Sequence, residues 1–217
     1  APHRARRYLG AVSGGSKRQD MLYVLPAVSF SFQKQSENTV ITSGNNTYQF
    51  AGATFDVFES ASDARVGTIQ MDSNGRAQAT LLPNTAYYLV ETKAPAGYVP
   101  RHDRIAFTTG NDGGQVAIDE QPGTINLRIV KLDAATNAGP QVGSSLAGAE
   151  FTCVSQSTPG WAQILTTDES GRATLADVPL GTFTIYESKA PEGYLPSNDS
   201  WTYTAGADQL GDSGVVE

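Results

Sequence analysis

Two stretches decide the reading of this chain: Tyr88-Leu89-Val90-Glu91-Thr92-Lys93-Ala94-Pro95-Ala96-Gly97-Tyr98 and Thr184-Ile185-Tyr186-Glu187-Ser188-Lys189-Ala190-Pro191-Glu192-Gly193-Tyr194. They lie 96 residues apart. Working outward, GATFDVF at 52–58 matches GAEFTCV at 148–154 at the same spacing. Asp72-Ser73-Asn74-Gly75-Arg76-Ala77 likewise matches Asp168-Glu169-Ser170-Gly171-Arg172-Ala173. One offset held over that length means two copies of one domain in tandem. The first copy spans 28–121 and the second 123–217, with Pro122-Gly123 as the turn-forming junction.

Within each copy the apolar residues alternate with polar ones, as in Ser29-Phe30-Ser31-Phe32-Gln33 and Thr182-Phe183-Thr184-Ile185-Tyr186. That is the period of a strand with one buried face. Gly, Asn, Asp and Pro separate these runs and supply turns. No stretch of helical length carries an apolar stripe. The expected fold is therefore all-β, two tandem antiparallel β-sandwiches.

Composition narrows the function. The 217 residues allow one large or two small domains. Net charge is −7, which disfavours a nucleic-acid footprint over the whole chain. The single cysteine excludes an intramolecular disulfide and a Cys-rich metal site. No apolar run reaches the roughly 18–20 residues of a membrane helix. Residues 1–27 stand outside the repeat and hold five of the fifteen cations, Arg4, Arg6, Arg7, Lys17 and Arg18, among Gly and Ser. They read as a leader or linker, or as a basic arm for an acidic partner.

A Lys-bearing first strand, a GA-x-F strand, a D-x-x-G-R turn and a strand ending in E-[ST]-K-A-P-x-G-Y together resemble the B-type repeat of the collagen adhesin. The resemblance covers both copies, about 190 residues by the repeat boundaries. It implies an immunoglobulin-like or prealbumin-like β-sandwich found in adhesins and pilins on the surface of Gram-positive bacteria. It also implies a self-made amide between a Lys and an Asn or Asp beside a catalytic Glu or Asp.

Carried onto this chain, Lys34 takes the nucleophile's place, Glu91 the catalytic one, and Asp119 that of the acceptor. The chemistry needs these residue types. Lys34 must shed its proton and Asp119 must hold one, and burial favours the neutral form of both. Glu91 would hydrogen-bond the acceptor and shuttle protons. Fixed proximity contributes effective molarities on the order of 10⁵ M or more. The event turns over once, so the chain is not expected to be an enzyme, and no cofactor or metal is implied. In the second copy Lys131 and Glu187 correspond to Lys34 and Glu91. Its closing segment aligns best with Gln115–Ile118, which puts the acceptor one residue past Glu217; the acceptor is then truncated, or this copy has no bond, or a nearby carboxylate such as Asp212 substitutes.

Other signals have plainer readings. Leu82-Pro83-Asn84-Thr85-Ala86 has the form of a sorting sequence but sits mid-domain, where a turn is expected. Asp72-x-Asn74-Gly75 lacks the rest of a calcium loop. Cys153 aligns with inward Val57 and reads as a small buried hydrophobe. His3 and His102 have no nucleophile elbow or triad to serve. Tyr98 and Tyr194 read as packing residues, and Asn45-Asn46-Thr47 fits a glycosylation acceptor. Two functions follow. One is an extracellular stalk in the cell wall or a pilus, sortase-linked to neighbouring subunits. The other is an adhesin binding host extracellular matrix or a glycan through loops such as Glu37–Tyr48.

Overall fold

The computed structural model describes residues 26–210 and the backbone of 215–216. Apart from its last two residues the basic segment 1–27 lies outside the described residues, as do Asp212 and Glu217. In the first domain β1 (Val28–Ser36) leads to a single helical turn α1 (Thr39–Thr42), then β2 (Thr54–Glu59), β3 (Ala64–Gln70), β4 (Arg76–Leu81), β5 (Ala86–Lys93), β6 (Ile105–Thr108) and β7 (Gly114–Glu120). The second domain holds β8 (Thr124–Val130), β9 (Glu150–Ser155), β10 (Ala162–Thr166), β11 (Arg172–Pro179), β12 (Gly181–Lys189), β13 (Ser200–Ala205) and β14 (Val215–Val216).

Each domain is a two-sheet sandwich. The orders β4-β1-β7 and β3-β2-β5-β6 recur as β11-β8-β14 and β10-β9-β12-β13. The expected all-β fold and its duplication are both present. One pairing departs from the antiparallel expectation: β7 runs parallel to β1, and β14 runs parallel to β8. First and last strands of a domain are joined through the whole fold rather than by a hairpin, so a parallel neighbour is allowed.

Alternation does the sorting. On β1, Phe30, Phe32 and Lys34 are buried while Ser31, Gln33 and Gln35 face outward or sit part-buried. The first core gathers Phe30, Phe32, Phe55, Val57, Leu89, Phe107 and Ile118. The second gathers Ile125, Phe151, Cys153, Val178, Leu180 and Phe183, and it also takes in Tyr48 and Tyr98 from the first domain.

The loop between β1 and β2 therefore joins the two domains instead of facing solvent throughout. Tyr48 is buried; its hydroxyl donates to Gly123 O at 2.7 Å and accepts from Leu180 N at 2.8 Å. Asn45 Nδ2 donates to Leu180 O and Thr158 Oγ1, and Thr158 Oγ1 donates to Ile41 O. Asn45 is thus a buried structural amide and not an accessible glycosylation acceptor. Burial of Tyr48 pushes its phenol up to about 12. Tyr98 stacks on Phe50 and meets Tyr48 edge-on at this junction, as expected of a packing residue. In the 82–86 segment Thr85 Oγ1 donates to Pro83 O and Thr85 N to Thr109 Oγ1, the bonding of a turn entering β5.

Candidate functional site: a buried lysine between two carboxyls

Three strands converge on one point of the first domain. Lys34 is the third inward residue of β1 and its side chain is fully enclosed. Its Nζ lies 2.9 Å from Glu91 Oε1 and 2.5 Å from Glu120 Oε1, and 4.5 Å from the centroid of the Phe55 ring. Glu91 comes from β5, two residues after buried Leu89, and is aimed by its other oxygen, which accepts the Arg101 backbone N–H at 2.8 Å. Gly75 closes the turn beside them at φ +72°, where a Cβ would stand 3.0 Å from Lys34 O. Its carbonyl accepts the Lys34 N–H at 2.7 Å. The Gly of the D-x-x-G-R turn therefore fixes the end of β1 that carries the lysine.

The residue expected as acceptor is not there. Asp119 faces outward, its carboxylate accepting a hydrogen bond from Gln35 Nε2 at 2.5 Å. Glu120, the next residue, occupies the place beside Lys34. The reason is the pleat: Val116, Ile118 and Glu120 share one face of β7, and Asp119 lies on the other. The period-two pattern of Val116-x-Ile118-x-Glu120 carries that signal in the sequence, and the resemblance obscures it by favouring Asn or Asp.

Three ionisable groups enclosed together cannot all hold charge cheaply. Desolvating each ion costs several kcal/mol, and one ammonium offsets only one of two carboxylates. Burial accordingly pushes the Glu120 carboxyl above its ordinary range; Lys34 opposes this and Glu91 adds to it. Amide condensation requires a protonated carboxyl, and burial moves Glu120 in that direction.

The second domain repeats half of this arrangement. Lys131 Nζ lies 2.6 Å from Glu187 Oε1, and Glu187 Oε2 accepts the Ser197 N–H at 2.7 Å, the counterpart of the Arg101 contact. The register of β14 corrects the expected alignment of the closing segment. Val215 and Val216 pair with Thr124 and Ile125, well before Lys131, so they do not correspond to residues within Gln115–Ile118. The acceptor position falls further along than one residue past Glu217. Cys153 is buried and its thiol is pushed up to about 11 by that burial, as a core residue should be.

Fold and site together define a two-sheet sandwich domain whose first strand carries an enclosed lysine against carboxyls on the fifth and last strands. The model of the SpaA prealbumin-like fold domain matches residues 28–122 and again 126–213. The chain belongs to that family, in two tandem copies. A search of curated proteins gives no match. Among solved structures, the Bacillus anthracis TIE protein is 24% identical with a TM-score of 0.61, over 83% of this chain and 32% of that one. A C-terminal fragment of the pilus adhesin SpaC from Lactobacillus rhamnosus GG is 19% identical over 83% of each chain, with a TM-score of 0.47. BcpA, the major pilin subunit of Bacillus cereus, is 14% identical over 84% of this chain and 96% of that one, with a TM-score of 0.33. The likeness to the first shows the shared fold, and this chain spans about a third of that protein's structure. No helix among the described residues is long and apolar enough to cross a membrane.

Proposed function

We propose that the chain is a stalk segment of a Gram-positive pilin or adhesin, displayed outside the cell, whose first domain is fastened by an autocatalytic amide between Lys34 and Glu120. The observation that carries this reading is the position of Lys34 Nζ, enclosed 2.5 Å from Glu120 and 2.9 Å from Glu91. The fastened strands are β1 and β7, the first and last of the domain, so tension applied along the chain meets a covalent bond before it meets the core.

The step balances within the cluster. The Lys34 ammonium passes one proton to Glu91, leaving a neutral amine beside the protonated Glu120 carboxyl. The amine attacks Glu120 Cδ while Glu91, now protonated, donates a hydrogen bond to the carbonyl oxygen that gains charge. The Lys34 nitrogen loses a proton, the departing hydroxyl gains one, and water leaves. Glu91 ends as it stood when the attack began. Each molecule does this once, as a late step of folding.

Intact-mass measurement tests the reading. A chain lighter than its sequence by one water, with a branched Lys34–Glu120 peptide in the digest, is expected. A mass equal to the sequence sum refutes it. Host-ligand recognition through Glu37–Tyr48 has less support, because Ile41, Asn45 and Tyr48 of that loop are buried against the second domain.

A further inference from the structure

Glu91 and Glu120 reach Lys34 from different sheets, since β5 belongs to one and β7 to the other. No strand ladder sets one carboxyl against the other. A short segment, Val99-Pro100-Arg101-His102-Asp103, touches both sides. Just before it, Tyr98 bridges Pro122 in antiparallel fashion. Val99 N donates to Gln121 O at 2.9 Å, and Arg101 Nη1 donates to Asp119 O at 2.5 Å. Those two carbonyls flank Glu120 on either side along the chain. On the other side, Arg101 N donates to Glu91 Oε2 at 2.8 Å. Pro100 stiffens the span between these contacts, its own φ fixed and Val99 confined to extended backbone.

Arg101 is itself gripped. Its Nε donates to Asp103 Oδ1 at 2.7 Å and its Nη2 to Asp103 Oδ2 at 3.2 Å, a bidentate pair that fixes the planar fork and leaves Nη1 for Asp119 O. The pairing also answers a charge conflict. The Arg101 cation draws the Glu120 carboxyl down, against the effect of burial, and the Asp103 carboxylate offsets that cation. The guanidinium therefore acts through where its donors point. The second domain supplies the contrast. Ser197 N holds Glu187 Oε2 at 2.7 Å as Arg101 N holds Glu91, but the Ser197 hydroxyl is spent on Asp199 at 3.1 Å. Aiming of the β5-type carboxyl is common to both copies, whereas a side chain long enough to reach β7 belongs to Arg101.

We infer that Arg101 is a positioning residue for amide formation: its guanidinium sets the end of β7, and with it the Glu120 carboxyl, against Lys34, while its backbone N–H holds Glu91. The inference rests on reading the Lys34 cluster as a cross-linking site. Rate is sensitive to such placement, because a shift of about 1 Å in a reacting pair costs up to about a hundredfold. Stability is far less so, because the Arg101–Asp103 ion pair is 30% and 60% exposed and pairs of that kind add little. Loss of the fork is therefore expected to slow the bond without loosening the fold.

Arg101→Met keeps the stem and the backbone N–H and removes the fork; Arg101→Lys returns a cation and a donor. An amide survives denaturation, so each chain is followed from cell-free synthesis, as loss of one water from its own sequence sum against time. Expected is closure slowed by about tenfold or more in Arg101→Met, with most of that loss recovered by Arg101→Lys. Melting is read separately in chains that also carry Glu91→Gln and so lack the bond, and there both Arg101 variants stay within a few degrees of Glu91→Gln alone. Closure of Arg101→Met at the parent's rate overturns the inference, as does slowing that Arg101→Lys leaves unrelieved or that comes with a large fall in melting of the bond-free chain. Should Arg101→Met not fold, Asp103→Asn carries the test by freeing the fork from its grip: slower closure supports the inference and an unchanged rate overturns it. A parent that keeps its full sequence mass refutes the cross-link and the part of Arg101 in it together. A parent that loses its water while Arg101→Met keeps pace refutes the positioning role alone.

Discussion

Replacing Glu91 by Gln removes the proton shuttle while keeping the side chain's size and one oxygen able to accept from the Arg101 N–H. It leaves Lys34 facing a single carboxyl, Glu120, so the enclosed charges still balance and the direct structural cost is small. What the variant loses is the proposed bond. Lys34 and Glu120 are 86 residues apart in sequence. Closing a loop of that length withdraws about 4–5 kcal/mol of chain entropy from the unfolded state at 25 °C in the loop-entropy description of cross-links. For a domain of this size each kcal/mol moves the melting temperature by about 4–8 °C, so the first-domain transition of Glu91→Gln falls by about 20 °C or more. Scanning calorimetry measures it, with intact mass read on the same samples. The parent must be lighter than its own sequence sum by one water, and the variant must match its own sequence sum. Both chains at their own sequence sums, or a melting shift of only a few degrees although the parent alone lacks one water, would refute the reasoning.

Tyr48→Phe strands the Leu180 N–H and the Gly123 carbonyl in a buried junction, at about 1–3 kcal/mol for each unsatisfied group; its second domain melts earlier, and calorimetry resolves the two transitions drawing apart. The same phenol gives a pH dependence. Its folded pKa of about 12 exceeds the ordinary 10, so the stability held by the protonated form is complete below pH 10 and is lost as pH rises toward 12; denaturant midpoints show a fall across that window that Tyr48→Phe lacks. Cys153, with its thiol pushed up to about 11, resists alkylation in the native chain at pH 8 and reacts on unfolding, as a time course with iodoacetamide displays. Gly75→Ala forces a side chain into a left-handed backbone, at about 1–2 kcal/mol, and against Lys34 O, so the variant closes its cross-link more slowly after refolding, followed by mass against time.

Much of this protein was legible in its residues. The 96-residue offset between Glu91 and Glu187 gave the duplication, and alternation at Phe30, Phe32 and Lys34 put the lysine on the buried face. Both are local regularities, written into the order of side chains along a strand, and a pleat cannot avoid expressing them. The same rule selects Glu120 over Asp119, because Val116, Ile118 and Glu120 share the inward face of β7.

Other features depend on which strands become neighbours, and no local pattern carries that information. The parallel pairing of β7 with β1 sets Glu120 against Lys34 across 86 residues of chain. The parallel register of β14 on β8 sets Val215 and Val216 opposite Thr124 and Ile125, well before Lys131. The loop from Glu37 to Tyr48 read as polar surface, yet Tyr48 and Asn45 turn inward because the second domain offers them the Leu180 backbone to bond. Burial of that kind is a property of two surfaces meeting, so only the tertiary structure settles it.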